Sequence, residues 1–250
     1  MRYIEHIVEP DRLLLSWQAK SERLRMIVAE LIRNGDDGNL VYLKESEDFS
    51  RAQSLGFDGY PGKAQSLGLD GHPGFAIEKD IHKNVLTSFM KRLPPRSRRD
   101  FGRFLDALRI KPEAKDEISD FALLGYSGAK LPDDDFTVIH PFENASVPFE
   151  LMLPVEGYQH YQDELSLTAL STDMLADFEA EPDNPKDPKA IKIIIDGIRI
   201  GYVCRGLTAS FHKWMQLGLT ISAYVERING IGQDPKIYLY VSVKKALCIV

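Results

Sequence analysis

The chain has 250 residues, long for one small domain and enough for two of roughly 100–150 residues each. Hydrophobic residues make up 44% and charged residues 27%, a balance that excludes wholesale disorder, collagen-like repetition and a disulfide miniprotein. With 31 bases against 37 acids the net charge is −6, which argues against an electrostatic grip on nucleic acid by the molecule as a whole.

Charge is uneven along the chain. Residues 146–185 hold nine acids and no Lys or Arg, whereas residues 186–250 hold ten bases against four acids. Such a tail can turn a basic face to phosphates, or its charges can be interleaved and merely solubilise a small β domain. No uncharged apolar run approaches the roughly 18–20 residues of a membrane-spanning helix. The N-terminus, Met1 to His6, carries Glu5 and has no apolar signal core, so a cytoplasmic location is expected. Cys204 and Cys248 stand in no metal-ligand spacing, which predicts neither a disulfide framework nor a zinc site.

Leu13–Trp17 and Met26–Ile32 read as short strands, with Leu40–Leu43 returning as a hairpin across Asn34-Gly35-Asp36-Asp37-Gly38. Ser46–Leu55 reads as a helix with Phe49 and Ala52 inside and Gly56 as its stop. Two Gly-rich dodecamers follow, 52–63 and 64–75, identical at nine of twelve aligned positions. Two such units cannot stack as a solenoid. One copy reads as duplicated loop, since lengthening a loop costs little. Asp80–Arg92 reads as a helix burying Ile81, Val85, Phe89 and Met90, ended by Pro94-Pro95. Ser97 is placed to cap a second helix with Phe101, Phe104, Leu105 and Leu108 inside, and a third helix covers Asp116–Leu124 and closes at Gly125. Val138-Ile139 reads as a strand, and a domain boundary is expected near residue 145, between Pro141 and Pro148.

The C-terminal part alternates as β structure does. Ala190–Ile195, a turn at Asp196-Gly197 and Ile198–Val203 form a hairpin. Thr208–Leu217 reads as a helix with Leu207, Phe211 and Trp214 facing inward; Leu219–Ile228, a turn at Asn229-Gly230 and Lys236–Val243 complete the sheet. The expected class is α+β: a hairpin-plus-helices domain over residues 1–145, then a small OB-like β-barrel with a helix over 146–250.

No catalytic constellation has adequate spacing: there is no Gly-x-Ser-x-Gly elbow, His-Glu-x-x-His pair, Walker loop or kinase signature. His6, His72, His82, His140, His160 and His212 are dispersed, and Asp133-Asp134-Asp135 reads as a solvated, Pro-led loop. The expectation is a non-enzymatic binding protein without cofactor or metal, with an enzyme of another type as the alternative, since an active site can be assembled from residues distant in sequence.

Two stretches carry more. Glu181-Pro182-Asp183-Asn184-Pro185-Lys186-Asp187-Pro188-Lys189-Ala190-Ile191, continuing to Ile200-Gly201-Tyr202-Val203-Cys204-Arg205, is a rigid Pro-rich loop leading into buried strands. Asn184 and Asp187 can meet a ligand there, or fix the loop by Asx-type bonds to backbone. The stretch resembles the HIRAN domain, whose pattern is acid-Pro-x-Asn-Pro-x-Asp-x-x-Ala-Ile/Val followed by a Gly turn and an Ile-Gly-Tyr-Val-Pro-Arg-like strand; the resemblance spans residues 147–245. It implies an OB-like barrel that binds single-stranded DNA and can hold a free 3′-hydroxyl end. By motif position it implies that Asn184 and Asp187 approach the nucleotide, that Tyr158 or Tyr161 stacks a base, and that Lys186, Lys189, Arg199 and Arg205 meet phosphates. Lys186 stands where an end-binding member carries an aromatic residue, and Cys204 where Pro is usual. A Lys neutralises phosphate but does not stack comparably, so the expectation is nucleic-acid binding rather than strict 3′-end capture.

The second stretch holds five bases, Lys91, Arg92, Arg96, Arg98 and Arg99, between Phe89 and Phe101. They suggest a surface for phosphate or an acidic partner, or else a solvated corner between helices. Followed by Phe104–Leu108 and Phe121–Gly128, and preceded by the hairpin, their order over residues 12–140 is similar to the N-terminal subdomain of HipA-type kinase toxins. In some systems of that group the subdomain is a separate antitoxin. A HipS-like subdomain joined to a HIRAN domain resembles a HirA-type antitoxin, which implies a HipA-like Ser/Thr kinase toxin as protein partner and DNA, single-stranded or promoter, as the second, with no membrane. The other reading is a single-strand or DNA-end binding accessory protein of repair or phage defence.

Overall fold

The computed structural model describes residues 1–21, 24–60, 74–131, 134–161, 169–230 and 235–246. The chain forms two compact units, both discontinuous in sequence: Glu9–Phe101 with Asp116–Pro141, and Met1–Val8 with Gly102–Lys115 and Phe142–Val250. A single cut near residue 145 does not separate them, because long-range bonds tie the chain's start and middle into the second unit. Ile4 bridges Ile110 in parallel. The Glu150 carboxylate accepts the Glu5 and His6 amides, each at 3.0 Å, and the Tyr240 hydroxyl donates to the Tyr3 carbonyl at 2.8 Å.

The first unit is built on β1 (Arg12–Gln18), β2 (Arg25–Asn34) and β3 (Asp37–Tyr42), the predicted strands, with a tight turn joining β2 to β3. α1 (Glu47–Ser54) starts at Ser46, whose hydroxyl accepts the Phe49 amide at 3.1 Å, and buries Phe49 and Ala52 as read from the sequence. β4 (Gly59–Tyr60) pairs with β5 (Phe75–Ala76). Residues 61–73, most of the repeat, lie outside the described residues; of the first copy, Ala52, Phe57 and Tyr60 are buried.

Three helix expectations are corrected. Ile81 is not helical: β6 (Ile81–His82) pairs with Leu40 and Val41 of β3, leaving Ile81 45% exposed. Helix begins only at α2 (Leu86–Phe89), where the Asp37 carboxylate accepts the Leu86 amide at 2.9 Å, and continues as a 3₁₀ turn to Arg92. Second, α3 (Phe101–Ala107) starts four residues past Ser97, beyond reach of a cap; its residue Phe101 belongs to the first unit and the rest to the second. Third, Pro112–Asp116 is a 3₁₀ turn and α4 (Asp120–Ser127) starts at Ser119, whose hydroxyl accepts the Ala122 amide at 3.0 Å. α4 runs through Gly125 to Gly128. Gly125 is there for room, not as a stop: a Cβ would lie 2.7 Å from both His140 Cβ and Leu13 Cδ2. With β7 (Phe136–Ile139) the antiparallel sheet is complete, in the order β6-β3-β2-β1-β7.

The second unit contains β8 (Phe149–Pro154), β9 (Leu175–Ala180), β10 (Ile191–Ile195), β11 (Ile198–Tyr202), α5 (Arg205–Gln216), β12 (Thr220–Asn229) and β13 (Lys236–Lys244). They form one antiparallel sheet in the order β11-β10-β9-β12-β13-β8. The β10–β11 turn places Asp196 at φ 51° and Gly197 at φ 79°, the left-handed pair that a two-residue hairpin turn requires. α5 buries Leu207, Phe211 and Trp214, and Phe211 and Phe149 both pack on Trp214. β8 and β9 had no clear sequence signal. β8 is almost continuously buried and so lacks alternation, whereas β9 shows only Ala176 to the core.

The two edges of this open sheet touch at one point. Glu156, just past β8, and Tyr202 of β11 exchange both backbone bonds, at 3.0 and 2.9 Å. Gly201 makes that approach possible: its φ is 153°, and a Cβ on it would lie 2.5 Å from the Glu156 carbonyl oxygen. The chain is thus α+β, with antiparallel sheets and few helices. Among the described residues no helix is long and apolar enough to cross a membrane.

Candidate nucleic-acid interface

The Pro-rich loop between β9 and β10 is knitted by its own polar residues. The Asn184 side-chain oxygen accepts the amides of Lys186 and Asp187 at 2.9 and 3.1 Å, and the Asp187 carboxylate accepts the Lys189 amide at 2.9 Å. These are Asx-type bonds that replace backbone pairing where prolines remove donors. The other oxygen of Asp187 takes Nε of Arg205 at 3.0 Å, tying the loop to the first turn of α5. His212, further along α5, has Nε2 at 3.1 Å from the Lys189 carbonyl.

The second anchor is the Tyr202 hydroxyl. It donates to Glu181 at 2.8 Å and accepts from the Asn184 amide at 3.2 Å and from Arg199 at 3.0 Å. Arg199 and Asn184 also donate to Glu181, at 3.0 and 2.6 Å. Burial opposes ionisation of Glu181, but the bonds from Asn184 and Tyr202 and the charges of Arg199 and Lys192 outweigh it and hold the carboxyl below its ordinary value. Burial first, then the bonds to Tyr161 and Glu181, pushes the Tyr202 phenol upward, so it remains a neutral donor. Tyr161 completes the group: its ring lies 4.5 Å from the Arg199 guanidinium, and its hydroxyl 3.4 Å from that of Tyr202.

The structure therefore brings together Asn184, Asp187, Arg199, Arg205 and Tyr161, from a loop, a strand, a helix start and the turn after β8. Lys186 and Lys189 are exposed at the loop's outer side while their amides are pinned. Tyr158 is corrected: it is 1% exposed and offers no face to a base. Glu181 and Tyr202 carry no site signal of their own within the motif, because their bonding roles depend on partners up to 41 residues away. Among the described residues no three His, Cys, Asp or Glu side chains gather as metal ligands would.

The basic stretch of the first unit is largely consumed internally. The Arg92 side chain is 2% exposed, paired with Asp134 and donating to the Tyr60 hydroxyl at 2.6 Å and the Ala129 carbonyl at 2.8 Å. It holds the fold, because a buried guanidinium needs its bonds met, and it is removed from the expected partner surface. Arg96 is bound to Asp120 and to the Ile118 carbonyl. Lys91, Arg98 and Arg99 are exposed.

No family model and no curated protein matches this chain. Among solved structures it is similar to the HIRAN domain of human HLTF, at 20% identity over 38% of this chain and 76% of that one, with a TM-score of 0.32. A protein from Lactobacillus plantarum is similar at 21% identity, over 37% of this chain and 91% of that one, with a TM-score of 0.31.

Proposed function

We propose that this chain works without catalysis, its second unit binding single-stranded DNA at the Asn184–Tyr202 cluster. The observation that carries this is one side of the cluster: Tyr161, backed by Arg199, beside a loop whose two lysines project outward from pinned amides. An aromatic ring next to exposed cations on a hydrogen-bonded frame suits base stacking with phosphate neutralisation, without selecting a sequence. Asn184, Asp187 and Glu181 set the frame rather than touching the ligand, since each is already engaged by neighbouring groups. Arg199 and Arg205, each paired to a carboxylate, add direction more than free charge.

The test is anisotropy of labelled oligodeoxythymidine with the full chain over a salt series. Neutralising each single-strand phosphate contributes about −0.7 to the slope of log K against log salt. Lys186→Ala with Lys189→Ala is expected to flatten the slope by about 1.4. Tyr161→Ala is expected to weaken binding by about 1–3 kcal/mol at every salt concentration. Salt-independent or absent binding by the parent chain overturns the proposal.

For the first unit the proposal is a protein partner, a HipA-like Ser/Thr kinase toxin that the chain neutralises. What supports it is the order of hairpin, basic turn and helices over residues 12–140, with Lys91, Arg98 and Arg99 exposed beside the turn. Co-expression with such a kinase, lacking its own N-terminal subdomain, is expected to restore growth. Undiminished killing with soluble chain present refutes the antitoxin role and favours a DNA-binding accessory protein.

A further inference from the structure

The Asn184–Tyr202 cluster has two flanks, and their charges differ. On the sheet side, Ala176 is buried and Phe178 packs on Phe211, so Asp177 and Glu179 of β9 turn to the other face, with Glu181 just beyond the strand in the same alternation. Opposite Asp177 and Glu179 in register stand Ile194 and Lys192 of β10. Lys192 is paired with Glu179 at 3.1 Å and Arg199 with Glu181 at 3.0 Å, which leaves the exposed Asp177 in excess. Phosphates led across this face would meet net negative charge.

The other flank is built differently. Asp187 takes Nε of Arg205 at 3.0 Å, and Nε2 of His212 donates to the Lys189 carbonyl at 3.1 Å. These two bonds dock the Pro-rich loop on successive turns of α5, so loop and helix present one surface. Arg205, Ala209, His212, Lys213 and Gln216 fall at i, i+4, i+7, i+8 and i+11, one side of a helix, and all are exposed or half-exposed. Leu207, Phe211 and Trp214 take the buried side. None of the 12 residues of α5 is acidic. The Lys213 ammonium is exposed and donates to the Glu143 carbonyl at 2.8 Å, a neutral partner that leaves its charge in place. Even with Asp183, Asp187 and Glu143 set against Lys186, Lys189, Arg205 and Lys213, this flank stays positive.

We propose that a bound single strand passes from the Tyr161 ring over the Pro-rich loop and on along the exposed side of α5, with Lys213 as its far phosphate contact. The inference rests on the reading of this unit as a single-strand binder and adds the course the strand takes. From Arg205 to Lys213 the helix rises about 12 Å, a length that about three or four nucleotides span at roughly 3.4 Å each. Ala209 lies between them, and its short side chain lets a sugar–phosphate backbone come close to the helix. The acids of β9 close the alternative course, across the sheet.

The experiment is anisotropy of two labelled oligodeoxythymidines, about 4 and about 12 nucleotides long, the range that one such fold covers. The shorter reaches Tyr161 and the loop; the longer also reaches α5. Lys213→Ala is expected to flatten the slope of log K against log salt by about 0.7 for the longer strand alone. Ala209→Glu, at an exposed helical position where Glu is well tolerated, is expected to weaken the longer strand about tenfold through phosphate repulsion. Retained binding of the shorter strand shows that these variants are folded. Asp177→Asn is expected to leave both affinities unchanged. Equal effects on the two lengths, no effect of either α5 variant on the longer strand, or tighter binding by Asp177→Asn overturns the proposed course. If the parent chain binds neither strand, the single-strand reading falls with it; if the parent binds and the α5 variants match it, only the course is refuted.

Discussion

Gly201→Ala tests whether the meeting of the two sheet edges supports the binding cluster. The added methyl would sit 2.5 Å from the Glu156 carbonyl oxygen and 2.6 Å from Val155 Cγ1, at a φ of 153°. A non-glycine residue in that part of dihedral space costs about 1–3 kcal/mol, and overpacking of this kind typically costs a further 1–3 kcal/mol or so. If the strands separate instead, the two backbone bonds between Glu156 and Tyr202 are lost, at about 1 kcal/mol each. The first route sums to about 2–6 kcal/mol, and the second, with the dihedral cost still present, to about 3–5 kcal/mol. Gly197→Ala is the control: nothing lies within 4 Å of its Cβ position, so only the dihedral cost applies, about 1–2 kcal/mol. Urea unfolding followed by Trp214 fluorescence, with Trp17→Phe silencing the other tryptophan, reads the unit directly. Because Tyr202 is the next residue, its hydroxyl should lose register with Glu181 and Asn184, and oligodeoxythymidine binding should fall alongside stability. A Gly201→Ala loss below about 0.5 kcal/mol, or one no larger than that of Gly197→Ala, would refute the reasoning.

Three further outcomes are expected. The Glu181 carboxyl is held below its ordinary value, so its stabilisation is complete above the unfolded-state value and disappears as pH falls through the folded-state value; Glu181→Gln should flatten denaturant midpoints across that acid window, and an unchanged profile would contradict the assignment. Asp134→Ala leaves the Arg92 guanidinium buried without its counterion and should cost about 3–5 kcal/mol in urea unfolding monitored by Trp17, whereas Arg92→Met, which removes the charge itself, should cost less. Gly125→Ala should lower stability by about 1–3 kcal/mol through contact with His140 and Leu13, although the same change in an open helix stabilises by about 1 kcal/mol; a rise in midpoint would show that α4 stands further from the sheet.

Where local chemistry decides, the sequence was sufficient. Alternation specifies β1, β2, β10, β11, β12 and β13; Ser46 starts α1, and Asp196-Gly197 turns a hairpin, because each depends on neighbours a few residues away. The Pro-rich loop is also local: Asn184 and Asp187 bond backbone two or three residues on. Distance defeats the same reasoning elsewhere. Ile81 follows β3 rather than its own helical spacing, and Gly125 serves the approach of Leu13 and His140, neither of which its neighbours announce. Tyr158 and Tyr161 look alike in sequence, yet one ring is buried and the other lies against Arg199. Likewise, five bases in nine residues resemble a surface patch until Asp134, forty-two residues from Arg92, draws that guanidinium inside. Only the folded chain can decide such positions, since burial and pairing of a charge depend on what arrives from far along the sequence, and the cost of leaving that charge unmet exceeds any local preference.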